Sequence, residues 1–295
     1  MKGRDGRHFM GEGGGVFIFQ FRFLAAVDRF HASPRISSLH NARQILCKSG
    51  VRARAREVPH AVKDAGSTIE FMRKTGGERE SVLRGIRVLD GGMASELEYQ
   101  GANIDGPLWS AHVLEDAPEK VVAVHRAYIE AGADCILTAS YQVSRMGYAE
   151  FGLAPERADA ALLKSVALAR AAAASFPARR VVVAASLGPY GAALHNGAEY
   201  HGNYGVGFSQ LVEFHRERIQ VLANAPDAQA PDLLAFETLP SLEEANAICE
   251  AIAPWPELAA WFSFTCKDEK HAAHGELLID VPRRSRAFHR LSPSE

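Results

Sequence analysis

Cysteine is scarce in this chain. Cys47, Cys135, Cys249 and Cys266 are spread over 295 residues and form no C-x-x-C pair. That pattern argues against a disulfide framework and for a reducing, cytoplasmic setting. Long apolar runs are also missing. No stretch reaches the ~18 apolar residues of a membrane helix. Val16 to Val27 comes nearest, but Gln20 and Arg22 interrupt it. Lys2, Arg4 and Arg7 precede it as in a targeting peptide, yet Asp5, Glu12 and Asp28 and the lack of a clear small-residue cleavage site oppose that reading. The formal charge is only −2, which gives the whole chain no electrostatic reason to bind nucleic acid or a membrane surface. There is no G-x-G-x-x-G, so a dinucleotide fold has no phosphate loop to offer.

What is present is apolar residue, 47% of the chain, enough for one large core. The charge is unevenly placed. Residues 1–80 hold 15 Lys and Arg against 8 Asp and Glu, whereas residues 81–295 hold 18 against 27. Such asymmetry marks residues 1–85 as a separate segment, expected to be a poorly defined, disordered leader. Within it Phe17, Phe19, Phe21 and Phe23 alternate as in a short strand. Met72 offers an alternative start, with the sequence before it lying upstream of the true one.

From residue 86 the pattern alternates between strand and helix. Apolar runs predict strands at Ile86–Leu89, Asp134–Ala139, Arg180–Ser186, Leu233–Glu237 and Ala259–Thr265. Helices are predicted over Pro118–Ala131, Pro155–Ser175, Ser209–Ala223 and Ser241–Ile252, the last opened by a capping box from Ser241 to Glu244. Continuous apolar strands alternating with helices mean a parallel sheet covered on both faces. Polar residues recur at the C-terminal strand ends, which favours an α/β fold of the (β/α)8 TIM-barrel type over an open doubly wound sheet. Only about five of the eight βα units are present in residues 86–281. Residues 282–295 carry four arginines and no strand signal, an aberrant basic tail. Five strands alone would expose sheet edges, so poor solubility or dependence on a partner is expected.

The strand ends supply the candidate residues. Asp90, before Gly91 and Gly92, either forms a turn or holds an ammonium group. Glu237 follows Leu-Leu-Ala-Phe, where an unpaired buried carboxylate is costly, so it reads as a rim ligand for a cation or as a solvated strand end. Thr138, Ser140 and Gln142 alternate, which puts Ser140 and Gln142 on one side, as donors to a carboxylate or as a plain polar rim. Cys266, Asp268, His271 and His274 bring zinc-ligand types together, but their spacing matches no standard site. A Schiff-base lyase would need a lysine at a strand end, and the nearest, Lys267, lies in the loop after the fifth strand.

Taken in order, Val88 to Ser95, Thr138-Ala-Ser-Tyr-Gln142, Ser186-Leu-Gly-Pro-Tyr-Gly191, Phe236-Glu-Thr-Leu-Pro240 and Trp261-Phe-Ser-Phe-Thr265 resemble the homocysteine S-methyltransferase family. Trp109 in Leu-Trp-Ser and the segment from Tyr200 to Tyr204 add to the likeness. The resemblance is strongest to the type using S-methylmethionine or S-adenosylmethionine. It implies that homocysteine and a sulfonium donor are the partners, and that Asp90 and Glu237 anchor the homocysteine amino group. It also implies a zinc that activates the homocysteine thiol, whose pKa of about 8.5 leaves little thiolate at neutral pH. Family members take that zinc on three cysteines in Gly-x-Asn-Cys and Gly-Gly-Cys-Cys contexts, and neither occurs here. Cys266 matches neither position. Two outcomes stay open: a methyltransferase making methionine, or a non-catalytic truncated remnant that at most binds an amino acid. The break near residue 281 predicts a frame shift or truncation. DNA downstream, read in the other frames, should continue the strand-helix pattern, and its absence there would contradict the prediction.

Overall fold

The computed structural model describes residues 17–24, 88–104 and 109–278. The rest of the 1–85 leader and the 282–295 tail lie outside the described residues. The helices are α1 (Met93–Tyr99), α2 (Trp109–Asp116), α3 (Pro118–Glu130), α4 (Arg145–Ala149), α5 (Pro155–Ala174), α6 (Tyr190–Ala193), α7 (Phe208–Ala223) and α8 (Leu242–Ile252). The strands are β1 (Phe17–Leu24), β2 (Cys135–Leu137), β3 (Val182–Leu187), β4 (Leu233–Leu239) and β5 (Ala259–Cys266). The sheet order is β1-β5-β4-β3-β2. Strands β2 to β5 are parallel neighbours, and Leu89 extends the set through a parallel bridge to Cys135. The expected first strand is thus reduced to a single bridge among the described residues.

The strand residues divide by parity, because successive side chains point to opposite faces, until the register of β4 shifts between Phe236 and Leu239. Ile136, Val183, Ala185, Leu234, Phe236, Phe262 and Phe264 join the large core beneath the helices. The helices contribute Val121 and Ile129 of α3, Leu162 and Val166 of α5, Ile219 of α7 and Ile248 of α8. The opposite face carries Cys135, Val182, Ala184, Leu233, Ala235 and Trp261, a small second core. Continuing along that face toward the strand ends gives Ser186, Glu237, Ser263 and Thr265. One face of the sheet is therefore apolar at its base and polar at its rim. This is the arrangement of a (β/α)8 barrel interior, with the chemistry confined to the C-terminal ends.

The exposed edge expected beyond the fifth strand is not there. Strand β1 pairs antiparallel with β5 along its whole length, from Phe17 opposite Cys266 to Leu24 opposite Ala259. The Phe17-x-Phe-x-Phe-x-Phe alternation belongs to a real strand, which satisfies the β5 backbone groups.

His125 on α3 is wholly buried, and neither ring nitrogen has a hydrogen-bond partner. Burial lowers its pKa from 6.5 to about 4. As pH falls, the unfolded chain takes up this proton first. The contribution to stability is complete above pH 6.5 and is lost between there and about 4. The loss amounts to on the order of 3 kcal/mol. In His125→Leu the urea midpoint should fall less between neutral and acid pH than in the wild type. An unchanged pH slope would contradict this account.

Candidate functional site

Asp90 leaves the first strand with its amide on the Cys135 carbonyl at 3.0 Å. Its Oδ2 accepts from the Leu137 amide at 2.7 Å, which ties the carboxylate to the end of β2. Gly91 lets α3 approach closely: a Cβ there would stand 2.7 Å from the Tyr128 hydroxyl, so that ring would have to shift. That hydroxyl donates to the Gly92 carbonyl at 3.1 Å, so α3 buttresses the turn behind Asp90.

Strand β2 stops at Leu137, and Ala139 to Gln142 form a turn. The strand alternation that put Ser140 and Gln142 on one side does not extend this far. Ser140 is buried, and its hydroxyl donates to the Ser186 carbonyl at 2.8 Å. Thr138 Oγ1 lies 2.6 Å from Ser140 Oγ and accepts from the Ser186 amide at 3.0 Å. Since the Ser140 proton is already engaged, Thr138 is the donor between the two hydroxyls. Ser186 in turn donates its hydroxyl to Glu237 Oε2 at 2.7 Å. Three strand ends are thereby joined in one run of hydrogen bonds that terminates on a half-buried carboxylate. Gln142 Oε1 is buried with no hydrogen-bond partner.

Thr238, directly after Glu237, has φ of 62°, in the left-handed region that β-branched residues avoid. The β4–β5 register shifts here, between Phe236 and Leu239. The irregularity re-aims the chain at the rim. The Tyr141 hydroxyl hydrogen-bonds the Thr238 side chain, and burial beside Glu199, Tyr200 and Glu237 pushes its pKa up. Glu199 is the first residue of a Glu-Tyr-His-Gly-Asn-Tyr segment. Its Oε2 is buried with no hydrogen-bond partner, and burial raises its pKa. Asp90 and Glu237 could be picked out as carboxylates ending apolar strands. Ser186, Tyr141, Thr238 and Glu199 could not be assigned from spacing, because their roles come from contacts across strands.

The residues after β5 separate into pairs. Cys266 is buried, with Sγ 3.6 Å from the Phe264 carbonyl. His271 Nδ1 lies 2.8 Å from both Asp268 oxygens, and His274 Nδ1 lies 3.1 Å from Glu276 Oε1. Among the described residues no three His, Cys, Asp or Glu gather as a metal-holding group. The described residues do not fit the zinc that the resemblance implies.

Strain held at Thr238 should be releasable. Thr238→Asn should raise stability by about 1 kcal/mol, since asparagine adopts positive φ more readily than a β-branched residue and keeps a polar side chain for the buried Tyr141 hydroxyl, while loosening the Glu237 carboxylate. Denaturant unfolding checks the first effect, and a lower midpoint would contradict it.

Comparison with known proteins places these residues in context. The family model for homocysteine S-methyltransferase matches residues 87–289, well over half of the chain. The chain is 44% identical to homocysteine S-methyltransferase of Escherichia coli (strain K12), over 66% of this chain and 64% of that protein. It is 43% identical to the YbgG homocysteine S-methyltransferase of Bacillus subtilis, over 65% of this chain and 62% of that one. Homocysteine S-methyltransferase 2 of Zea mays is 43% identical over 74% of this chain and 66% of its own length. The chain thus spans somewhat under two thirds of these curated relatives. Among solved structures, the metallated form of the Escherichia coli homocysteine methyltransferase MmuM superposes with a TM-score of 0.65 at 43% identity, covering 70% of this chain and 72% of that chain. Asp90, Ser140, Gln142 and Glu237 all fall within the matched span, and this chain belongs to the homocysteine S-methyltransferase family.

Proposed function

We propose that the chain binds homocysteine through its α-amino group, with Asp90 and Glu237 as the anchors, for methyl transfer from a sulfonium donor to give methionine. The observation that carries this reading is Glu237. A carboxylate at the top of an apolar sheet face, oriented by the Ser186 hydroxyl at 2.7 Å, is built to meet a cation. Gln142 Oε1 and Glu199 Oε2 add buried acceptors without donors. An ammonium group offers three donors and suits an acceptor-rich rim.

The reaction asks little of acid-base chemistry. The homocysteine sulfur attacks the donor's methyl carbon in line, the methyl–sulfonium bond breaks, and its electron pair stays on the donor sulfur, which leaves as a neutral thioether. The thiol proton is released to solvent before attack, and no acid is needed for so good a leaving group. With S-methylmethionine as donor, both products are methionine. The protein's task is orientation of two reactants, an effect that can supply several orders of magnitude in rate. Thiol activation by zinc would require ligands other than the described residues.

A second reading is favoured by that same shortage of ligands: a chain that binds the amino acid without transferring the methyl group. Four widely spaced cysteines with no C-x-x-C pair suit a reducing, cytoplasmic location for either. No described helix is long and apolar enough to cross a membrane.

Calorimetric titration with homocysteine should show binding that Glu237→Gln and Asp90→Asn each weaken by about tenfold or more, or 1.4 kcal/mol. Unchanged affinity in both variants would overturn the assignment. Methionine formation from homocysteine, S-methylmethionine and zinc separates the readings: turnover establishes the methyltransferase, and binding without turnover favours the binder.

A further inference from the structure

A buried polar cluster lies directly behind the rim and is unused by the reading above. Its members are Arg218 and His215 on α7 and Glu244 on α8, all three buried. Arg218 Nη2 lies 2.8 Å from His215 Nδ1 and donates to the Gly188 carbonyl at 2.9 Å. His215 Nε2 lies 2.9 Å from Glu244 Oε1. Glu244 also accepts the Tyr190 amide on Oε1 at 2.5 Å and the Tyr204 hydroxyl on Oε2 at 2.8 Å.

Donor and acceptor roles follow from chemistry alone. A guanidinium can only donate, so His215 Nδ1 must accept. The ring proton then sits on Nε2 and is given to Glu244. His215 is a neutral imidazole with one fixed tautomer, and burial lowers its pKa to about 4, well below neutral pH. It transmits an interaction between a buried cation and a buried anion without carrying charge. Such a pair needs every member, because losing one leaves a buried charge uncompensated.

The placement gives the cluster a direction. Gly188 lies in the short turn that follows β3 and Tyr190 opens α6, two and four residues after Ser186. Arg218 holds the carbonyl of Gly188, and Glu244 holds the amide of Tyr190. From the other side, the Gly188 amide donates to the Tyr141 carbonyl at 2.9 Å, next to Ser140 and Gln142. A Cβ on Gly188 would stand 2.7 Å from that carbonyl, so the turn is fitted tightly between the two supports.

We propose that Arg218, His215 and Glu244 form a clamp that positions the Gly188–Tyr190 turn, and through it the Ser186 hydroxyl that orients Glu237. These three are positioning residues. The inference rests on reading the rim as an amino-acid pocket, and it adds that ligand affinity is set from behind the sheet.

The test uses the full chain, with amide hydrogen exchange at Tyr190 and the Kd for homocysteine as readouts. His215→Gln keeps one acceptor and one donor, while His215→Phe keeps neither. Exchange at Tyr190 and the Kd should both rise about tenfold or more in His215→Phe and stay within about twofold in His215→Gln. Val166→Ala, a core change on α5 outside the cluster, should lower stability without moving either readout. If His215→Phe does not fold, Tyr204→Phe removes one hydroxyl from Glu244 and should raise both readouts in the same direction. Unchanged exchange at Tyr190 in a folded His215→Phe, or an equal effect in Val166→Ala, would overturn the clamp. If the wild type binds no homocysteine, the pocket reading fails, and exchange at Tyr190 alone still decides whether the clamp exists.

Discussion

The Glu237 carboxyl group stands at the end of a strand whose other residues on the same face are Leu233 and Ala235. Removing a carboxylate from water is costly unless donors replace the lost hydration. The Ser186 hydroxyl supplies one such donor at 2.7 Å. Ser186 is in turn fixed at its backbone by Thr138 and Ser140. The polar rim follows from this one requirement. Hydroxyl side chains just beyond β2 and at the end of β3 hold a donor still, which gives the carboxyl group a defined direction.

The same need explains why the site is built across strands. Neighbouring parallel strands stand about 4.8 Å apart, within reach of a side chain from one to the backbone of the next. Asp90 binds the Leu137 amide, Thr138 binds the Ser186 amide, and Ser186 binds Glu237. Each strand end is completed by its neighbour. Substituting one member is therefore felt two strands away.

Much of the fold could be read from the sequence. Leu233 to Phe236 and Val182 to Ala185 are unbroken apolar runs, and unbroken runs of that length fit strands covered on both faces. The long helices α3 and α5 opened at Pro118 and Pro155 as the proline rule expects. The short helices α1, α2, α4 and α6 carried no such signal, since four to eight residues are too few for a period to emerge. Ser241 and Glu244 illustrate a subtler gap. Their spacing predicts a reciprocal capping box, and Ser241 Oγ does accept the Glu244 amide at 3.2 Å. The Glu244 carboxylate does not return to Ser241. It turns to Tyr190, His215 and Tyr204, residues 29 to 54 positions away. Spacing reports local chemistry, and a long-range partner with more donors won.

Strand β1 has a consequence for the sheet as a whole. A strand edge owns a single row of outward amides and carbonyls. Along Ala259–Cys266 that row is filled by residues from the far N-terminal part of the chain, running in the opposite direction. In a closed barrel of this type the row belongs to the next parallel strand. The two arrangements compete for the same hydrogen bonds, so they exclude one another. Phe17–Leu24 thus behaves as an internal stopper: while it is seated, the curl of the sheet ends at β5, and further closure requires that it first be unzipped.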